Sequence, residues 1–209
     1  MARRPLEKAV TIALDGGELA LEGIFLAGEG QDGAGAVVAP PHPLYGGSMD
    51  HPACNELAYA CCDTGIASLR FNWRGVGASA GAPGGESADA DADYRAATRY
   101  LAETVDGPLL AAGYSFGAAT ALRVASREPR IRRLLLLAPP LPILDRDLLA
   151  DYAGSVLVVA AGHDEFSPAN ELRELTEALP RASFQLIPEA DHFFMAGLAE
   201  VARAARDWL

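Results

Sequence analysis

Residues 109–125, LLAAGYSFGAATALRVA, join a short apolar run to an alanine-rich segment, and a serine between two glycines stands at the junction. The run LLAA predicts a buried strand, and FGAATALRVA predicts a helix. Gly113-Tyr114-Ser115-Phe116-Gly117 therefore fits the pattern G-x-S-x-G at a sharp strand-to-helix turn, where the serine hydroxyl is exposed at the edge of a parallel sheet. Ser115 is the candidate nucleophile, and an incidental serine in a glycine-rich turn is the alternative.

A serine hydroxyl is a weak nucleophile unless a base activates it and an acid orients that base. In this arrangement the partners follow the serine in the order acid, then histidine. His42 and His51 precede Ser115, whereas His163 and His192 follow it. His192 lies in a loop after the last predicted strand, from which it can reach back across the sheet, so we expect it to be the base.

The candidate for the orienting acid is Asp164, which directly follows the predicted strand SVLVVAAG. Asp145 and Asp147 follow the strand before it and are the alternatives. Asp191 adjoins His192 in sequence, so its side chain is expected to point elsewhere. The sequence thus predicts a Ser115–His192–Asp164 triad whose members come from the ends of three separate strands.

A second loop should supply part of the site. APPHPLYGGSMDH follows the predicted strand AVVAP, and an oxyanion hole needs an amide from this loop besides the amide after the nucleophile. We assign the N–H of Phe116 as one donor and the N–H of Leu44 as the other, with Tyr45 as the alternative. Pro43 has no N–H to donate, and His42 is expected to be structural.

The pattern of apolar runs predicts the architecture. An antiparallel hairpin around Asp15-Gly16-Gly17 opens the chain, and from about residue 52 helical patterns alternate with apolar runs of four to six residues. Such alternation is typical of a mostly parallel, doubly wound α/β sheet covered on both faces. We expect a single domain over residues 1–209, and the three aspartates of ADADAD suit a helix N-terminus.

Composition and charge exclude several classes of function. The net charge of −11 disfavours nucleic acid and anionic membranes, and a cytoplasmic location is the default because neither a signal peptide nor a transmembrane run is present. Cys54, Cys61 and Cys62 are expected to be buried on one helix. Gly75-Val76-Gly77-Ala78-Ser79-Ala80 fits G-x-G-x-x-A, but no helix opens after it to hold a pyrophosphate. We expect no cofactor and no metal.

Several segments together resemble one family. GYSFG, HPLYGGSMD, RFNWRGVGASAG, GHDEF and ADHFF are similar to the compact, lidless bacterial α/β-hydrolases, over nearly the whole chain. The resemblance implies an α/β-hydrolase fold and a Ser-His-Asp triad but no particular substrate. His51 stands where that family is expected to have asparagine.

The proposed chemistry is acyl transfer to water, with a small-molecule ester as the expected substrate. The connection after LLLLAPP is too short for a lid, which predicts an open cleft. A peptidase or amidase and a non-catalytic binding protein remain the alternatives, and the oligomeric state is undetermined. The side chains expected to shape the acyl side of the cleft, or else to pack in the core, are those of Tyr45, Trp73, Phe116, Leu141, Phe166 and Phe193.

Overall fold

The computed structural model describes residues 6–30 and 32–209 and contains one eight-stranded sheet. The strands are β1 (Lys8–Ala13), β2 (Ala20–Leu26), β3 (Gly35–Ala39), β4 (Ala67–Phe71), β5 (Leu109–Tyr114), β6 (Ile131–Leu137), β7 (Ser155–His163) and β8 (Ala182–Asp191). Their order across the sheet is β1-β2-β4-β3-β5-β6-β7-β8. The predicted hairpin of β1 and β2 is antiparallel, and β2 also pairs antiparallel with β4, whereas β3 to β8 are parallel.

In the part of the chain that the structure describes, six α-helices cover the two faces of this sheet. They are α1 (Pro52–Asp63), α2 (Ser87–Thr104), α3 (Phe116–Ala125), α4 (Arg146–Asp151), α5 (Ala169–Glu177) and α6 (Leu198–Trp208). One core cluster contains buried residues of α2 to α5, and a second contains those of α1 and α6. Strands β3 (GAVVA) and β5 (LLAAGY) are buried at every residue, which explains why they are continuous apolar runs in the sequence.

The structure bears out the predicted mostly parallel α/β-hydrolase fold without a lid. Between β6 and β7 the chain forms only α4, a helix of six residues. The sequence prediction missed α4, because fewer than two turns give too little periodicity to recognise. Among the described residues, no helix is long and apolar enough to cross a membrane.

The aspartates of α2 differ from the expectation. Only Asp89 lies in the first turn of the helix. Asp93 is almost fully buried and binds the guanidinium of Arg74 at 2.7 Å, while Asp91 binds Arg123 of α3 at 2.7 Å. These carboxylates therefore fasten α2 to its neighbours rather than serve the helix terminus, since buried carboxylates require a charged partner.

All three cysteines lie on α1, as predicted. Cys54 and Cys61 are buried, Cys62 is half-buried, and all three are free thiols. Burial raises the pKa of Cys54 and of Cys61 to about 12. These two thiols therefore stay protonated at neutral pH and behave as small apolar side chains.

Candidate active site

The turn between β5 and α3 holds Ser115 in a backbone conformation that few residues adopt, with φ 55° and ψ −120°. A Cβ at Gly113 would lie 2.2 Å from the carbonyl oxygen of Gly117, and one at Gly117 would lie 2.5 Å from that of Pro40. Both positions therefore exclude any larger residue. The two glycines of the motif allow the sharp turn that brings the serine to the carboxyl edge of the sheet.

Three polar side chains meet at this edge. The Oγ of Ser115 lies 2.9 Å from the Nε2 of His192, and the Nδ1 of His192 lies 2.7 Å from the Oδ2 of Asp164. Ser115 follows β5, Asp164 follows β7 and His192 follows β8. Each residue is less than a tenth exposed, so these hydrogen bonds are largely shielded from water. The structure thus brings together the three residues that the sequence predicted as a triad.

The other carboxylate oxygen of Asp164 is also held. Its Oδ1 accepts hydrogen bonds from the amides of Phe166 at 2.8 Å and Ser167 at 2.9 Å. The hydroxyl of Ser167 in turn donates to the carbonyl oxygen of Ala138. Because both oxygens are engaged, Asp164 presents Oδ2 to His192 in one fixed orientation.

The alternative acids and base lie elsewhere. Asp145 is the N-cap of α4, where its Oδ1 accepts from the amide of Leu148 at 2.9 Å, and both Asp145 and Asp147 are exposed. Asp191 accepts from the amide of Phe193 at 3.1 Å. His163 is exposed near the end of β7.

Tyr114 occupies the first x position of G-x-S-x-G, directly before Ser115, and has a contact that the sequence did not predict. Its hydroxyl donates a hydrogen bond of 2.6 Å to the backbone oxygen of His192. Its ring centroid lies 4.8 Å from that of His51 and 5.8 Å from that of Phe194. Burial is the main cause that raises the pKa of Tyr114, so the hydroxyl keeps its proton and remains a donor. In the sequence, Tyr114 carried no signal beyond being adjacent to the serine.

The two loop amides predicted for the oxyanion hole are already hydrogen bonded. The N–H of Leu44 donates to the Nδ1 of His42 at 3.2 Å, and that of Tyr45 donates to the backbone oxygen of His42 at 3.1 Å. By contrast, the N–H of Phe116, at the first position of α3, has no acceptor among the described residues.

The loop that contains Leu44 is anchored by residues that follow β4. The indole N–H of Trp73 donates to the backbone oxygens of Pro40 and Pro41, and the amide of Met49 donates to the Oδ1 of Asn72 at 2.8 Å. Trp73 is only 2% exposed, so its side chain packs inside the protein against this loop and does not line an open cleft. Asn72 was not identified from the sequence, where a single asparagine after a strand gives no specific signal.

His42 and His51 have structural contacts. The ring of His42 lies 4.6 Å from that of Phe116, and burial lowers the pKa of His42. The Nδ1 of His51 accepts from the amide of Ala53 and so caps α1. Burial, and secondly the charge of His192, lowers the pKa of His51. At neutral pH both imidazoles are therefore neutral and can accept these hydrogen bonds.

The G-x-G-x-x-A segment forms a turn that packs on β2 and on the end of β4. Gly75 and Gly77 both have positive φ, and the hydroxyl of Ser79 accepts from the amide of Glu22 and donates to the oxygen of Asn72. The next helix begins only at Ser87. Within residues 6–30 and 32–209, no group of three or more His, Cys, Asp or Glu residues is arranged to hold a metal ion.

Comparison with known proteins adds the following similarities. A family model described as Hydrolase_4, serine aminopeptidase, S33, matches residues 46–152, just over half of the chain. The uncharacterized protein RP471 of Rickettsia prowazekii (strain Madrid E) is 29% identical over 212 residues, which covers 95% of this chain and 87% of that protein.

Solved structures are similar over almost the whole chain. An α/β serine hydrolase homologue from Coxiella burnetii has a TM-score of 0.86 at 26% identity, covering 97% of both chains. XC6422 from Xanthomonas campestris, described as a serine hydrolase without a lid, has a TM-score of 0.81 at 27% identity, covering 97% of this chain and 95% of that one.

Proposed function

Because this chain belongs to the Hydrolase_4 family, described as serine aminopeptidase, S33, we propose that it is a serine hydrolase that cleaves carboxylic esters through an acyl-enzyme. The observation that carries the proposal is the continuous path of hydrogen bonds from Ser115 through His192 to Asp164, at 2.9 Å and 2.7 Å. This is the arrangement by which a base, oriented by an acid, activates a serine hydroxyl, and a serine in an ordinary turn does not require it.

In the first half of the reaction, the Nε2 of His192 takes the proton of Ser115 as the Oγ attacks the ester carbonyl carbon. The carbonyl oxygen becomes an oxyanion, which the amide of Phe116 is free to stabilise because this N–H has no acceptor among the described residues. Asp164 holds the tautomer in which Nδ1 carries a proton and stabilises the imidazolium. His192 then donates its Nε2 proton to the leaving alcohol, and the carbon–oxygen bond to the alcohol breaks.

In the second half, His192 accepts a proton from water, and the resulting hydroxide attacks the acyl carbon of the acyl-enzyme. Collapse of the second tetrahedral intermediate breaks the bond to Ser115, which recovers its proton from His192. The products are a carboxylic acid and a free enzyme. With only α4 between β6 and β7, the site is open, which suits a small or modest ester.

The second oxyanion donor is proposed to be the amide of Leu44, with that of Tyr45 as the alternative. Leu44 donates to a histidine side chain, whereas Tyr45 donates to a backbone oxygen inside its own turn. A side chain can rotate away without unfolding the turn, so the Leu44 amide is the one more easily released to substrate. The proposed oxyanion hole therefore combines Phe116 and Leu44.

The test is covalent labelling with a fluorophosphonate probe, which reacts with an activated serine. We expect labelling of the wild-type protein and none of Ser115→Ala. Ser126→Ala is the matched control, because Ser126 ends α3 and its hydroxyl donates to the backbone oxygen of Leu122. Absence of labelling in folded wild-type protein would contradict the proposal and favour a non-catalytic binding protein.

A second candidate is a peptidase or amidase that uses the same residues, favoured by the description of the matching family as a serine aminopeptidase. The two activities differ in the leaving group, an alcohol or an amine. Parallel assays with an ester and an anilide of the same acyl group distinguish them by the ratio of the two kcat/KM values.

A further inference from the structure

Exposed apolar side chains gather at the edge of the sheet that carries Ser115. Eight large apolar residues are exposed among those that the structure describes, and six of them lie in the loops after the carboxyl ends of β3, β6, β7 and β8. These six are Leu44, Tyr45, Ile143, Phe166, Phe193 and Met195. The apolar surface of these side chains is in contact with water at the edge of the sheet that carries Ser115, where a bound molecule would cover it.

Two of these side chains lie against the proposed base. The ring centroid of Phe166 is 5.0 Å from that of His192, and the ring centroid of Phe193 is 5.7 Å away, nearly perpendicular to the imidazole. Phe166 is 57% exposed and Phe193 is 56% exposed. Each ring therefore has one part packed on the imidazole and another part open to solvent.

The position of these rings relates them to one side of the substrate. In the mechanism proposed above, the Nε2 of His192 gives its proton to the leaving oxygen, so this oxygen must come within hydrogen-bond distance of the imidazole. Groups attached to that oxygen then lie within reach of rings that contact the same imidazole. Phe166 and Phe193 consequently face the alcohol part of an ester rather than its acyl part.

Charge restricts what the alcohol can be. The loops after β3, β6, β7 and β8, residues 40–51, 138–145, 164–168 and 192–197, contain no lysine or arginine. They do contain acidic residues, among them Glu165, which is exposed between Asp164 and Phe166. Arg74, after β4, is already paired with Asp89 and Asp93, and Arg146, which begins α4 directly after residues 138–145, faces Glu171 at 3.9 Å. A negatively charged leaving group would meet like charges there without a cation to bind it.

We propose that Phe166 and Phe193 form a leaving-group subsite, and that the substrate is an ester of a neutral apolar alcohol, preferably one with an aromatic ring. The inference rests on the proposed function and extends it to a substrate class. Aromatic rings favour a third ring in edge-to-face or offset contact, beyond the gain from buried area alone.

The experiment compares acetate esters that share an acyl group. Benzyl acetate and 2-methoxyethyl acetate have alcohols of similar acidity, so differences in kcat/KM report on binding of the alcohol rather than on its reactivity. We expect wild-type kcat/KM to favour benzyl acetate at least about tenfold, equivalent to about 1.4 kcal/mol. The carboxylated benzyl ester, 4-(acetoxymethyl)benzoate, should lose most of this preference.

Variants assign the preference to the two rings. Phe166→Ala and Phe193→Ala should each reduce the benzyl-to-methoxyethyl ratio about threefold to tenfold, and Phe166→Leu should reduce it less. The ratio of benzyl acetate to benzyl butyrate should stay unchanged, because the acyl side is not altered. Leu19→Ala is the matched control: Leu19 is 39% exposed in the turn between β1 and β2, and β1 lies at the end of the strand order opposite to β7 and β8, so the change should affect neither ratio.

Four results would overturn the proposal. If the alanine variants slow both acetates equally, the rings only pack against His192. If they change the acetate-to-butyrate ratio instead, they contact the acyl group. A wild-type protein that is labelled by the fluorophosphonate yet shows no preference among the alcohols removes this inference and leaves the proposed function standing, whereas a protein that is neither labelled nor active removes both.

Discussion

The hydroxyl of Tyr114 donates a hydrogen bond of 2.6 Å to the backbone oxygen of His192, across 78 residues of sequence. Tyr114 directly precedes Ser115, whose own Oγ contacts the imidazole of the same histidine. Two neighbouring residues therefore hold the backbone and the side chain of His192. Since proton transfer depends on distances of about 3 Å, this double contact fixes His192 relative to the serine.

Removing this hydroxyl should lower turnover without removing the active residues. We expect Tyr114→Phe to reduce kcat about tenfold with little change in KM, because the loop of His192 gains freedom while the cleft is unchanged. Loss of the hydrogen bond should cost about 1 kcal/mol in the free energy of unfolding. Steady-state kinetics and denaturant titration measure the two effects.

Tyr152→Phe provides the matched control. The hydroxyl of Tyr152 donates to the backbone oxygen of Ile131, at the start of β6 and so at the other end of the sheet. The Tyr152→Phe substitution should lower the free energy of unfolding by a similar amount and leave kcat unchanged. Equal losses of kcat in both variants would mean that Tyr114 acts only through stability.

Substitutions of the candidate acids should affect either kcat or the free energy of unfolding, depending on the role of each aspartate. Asp164→Asn should lower kcat by about two to four orders of magnitude, because an amide cannot hold the required tautomer of His192 or stabilise its charge. Asp145→Asn and Asp147→Asn should retain activity. Asp145→Ala should lower the free energy of unfolding by about 1 kcal/mol through loss of the cap of α4. The reverse pattern in kcat would move the acid to the loop after β6.

Protonation of His51 should destabilise the fold. Its pKa is lowered in the folded state, so below about pH 6.5 the unfolded chain binds the proton more readily and the free energy of unfolding falls as the pH falls. Protonation also abolishes the acceptor that caps α1. His51→Asn should keep a cap that does not titrate, and therefore flatten this part of the curve.

The measurement is the melting temperature between pH 5 and pH 8 in both proteins, read as a difference because His42 contributes in the same direction. A His51→Asn curve that is displaced but parallel to the wild type would show that His51 does not titrate in this range.

The second oxyanion donor can be identified with proline, which lacks an N–H. If the amide of Leu44 stabilises the oxyanion, Leu44→Pro should lower kcat about 10²-fold to 10³-fold, whereas Leu44→Ala, which keeps the amide, should not. Tyr45→Pro should mainly lower the melting temperature, because its amide bonds within the turn. A large loss of kcat in Tyr45→Pro alone would transfer the role to Tyr45.

Features that depend on local pattern and chain order could be predicted from the sequence. The apolar runs and helical segments indicated a mostly parallel sheet because their periodicity reflects which faces are buried. The elbow around Ser115 was predictable because G-x-S-x-G stands where an apolar run gives way to a helical pattern, although the clash that Gly117 avoids is with Pro40, far away in the sequence. Asp164 and His192 followed from their order after the serine, since parallel strands end at one edge of the sheet.

Contacts between distant parts of the chain were decided only by the tertiary structure. For Trp73 the sequence left two alternatives open, the cleft and the core, and the structure decides for the core: its buried indole donates to the backbone oxygens of Pro40 and Pro41. Three hydrogen bonds likewise depend on side-chain rotamers and on which loops are neighbours. They join the Tyr114 hydroxyl to the backbone oxygen of His192, the amide of Met49 to Asn72, and the amide of Leu44 to His42. The sequence pattern records how often apolar residues recur, and it carries no information on which way a side chain points or which loops lie next to each other.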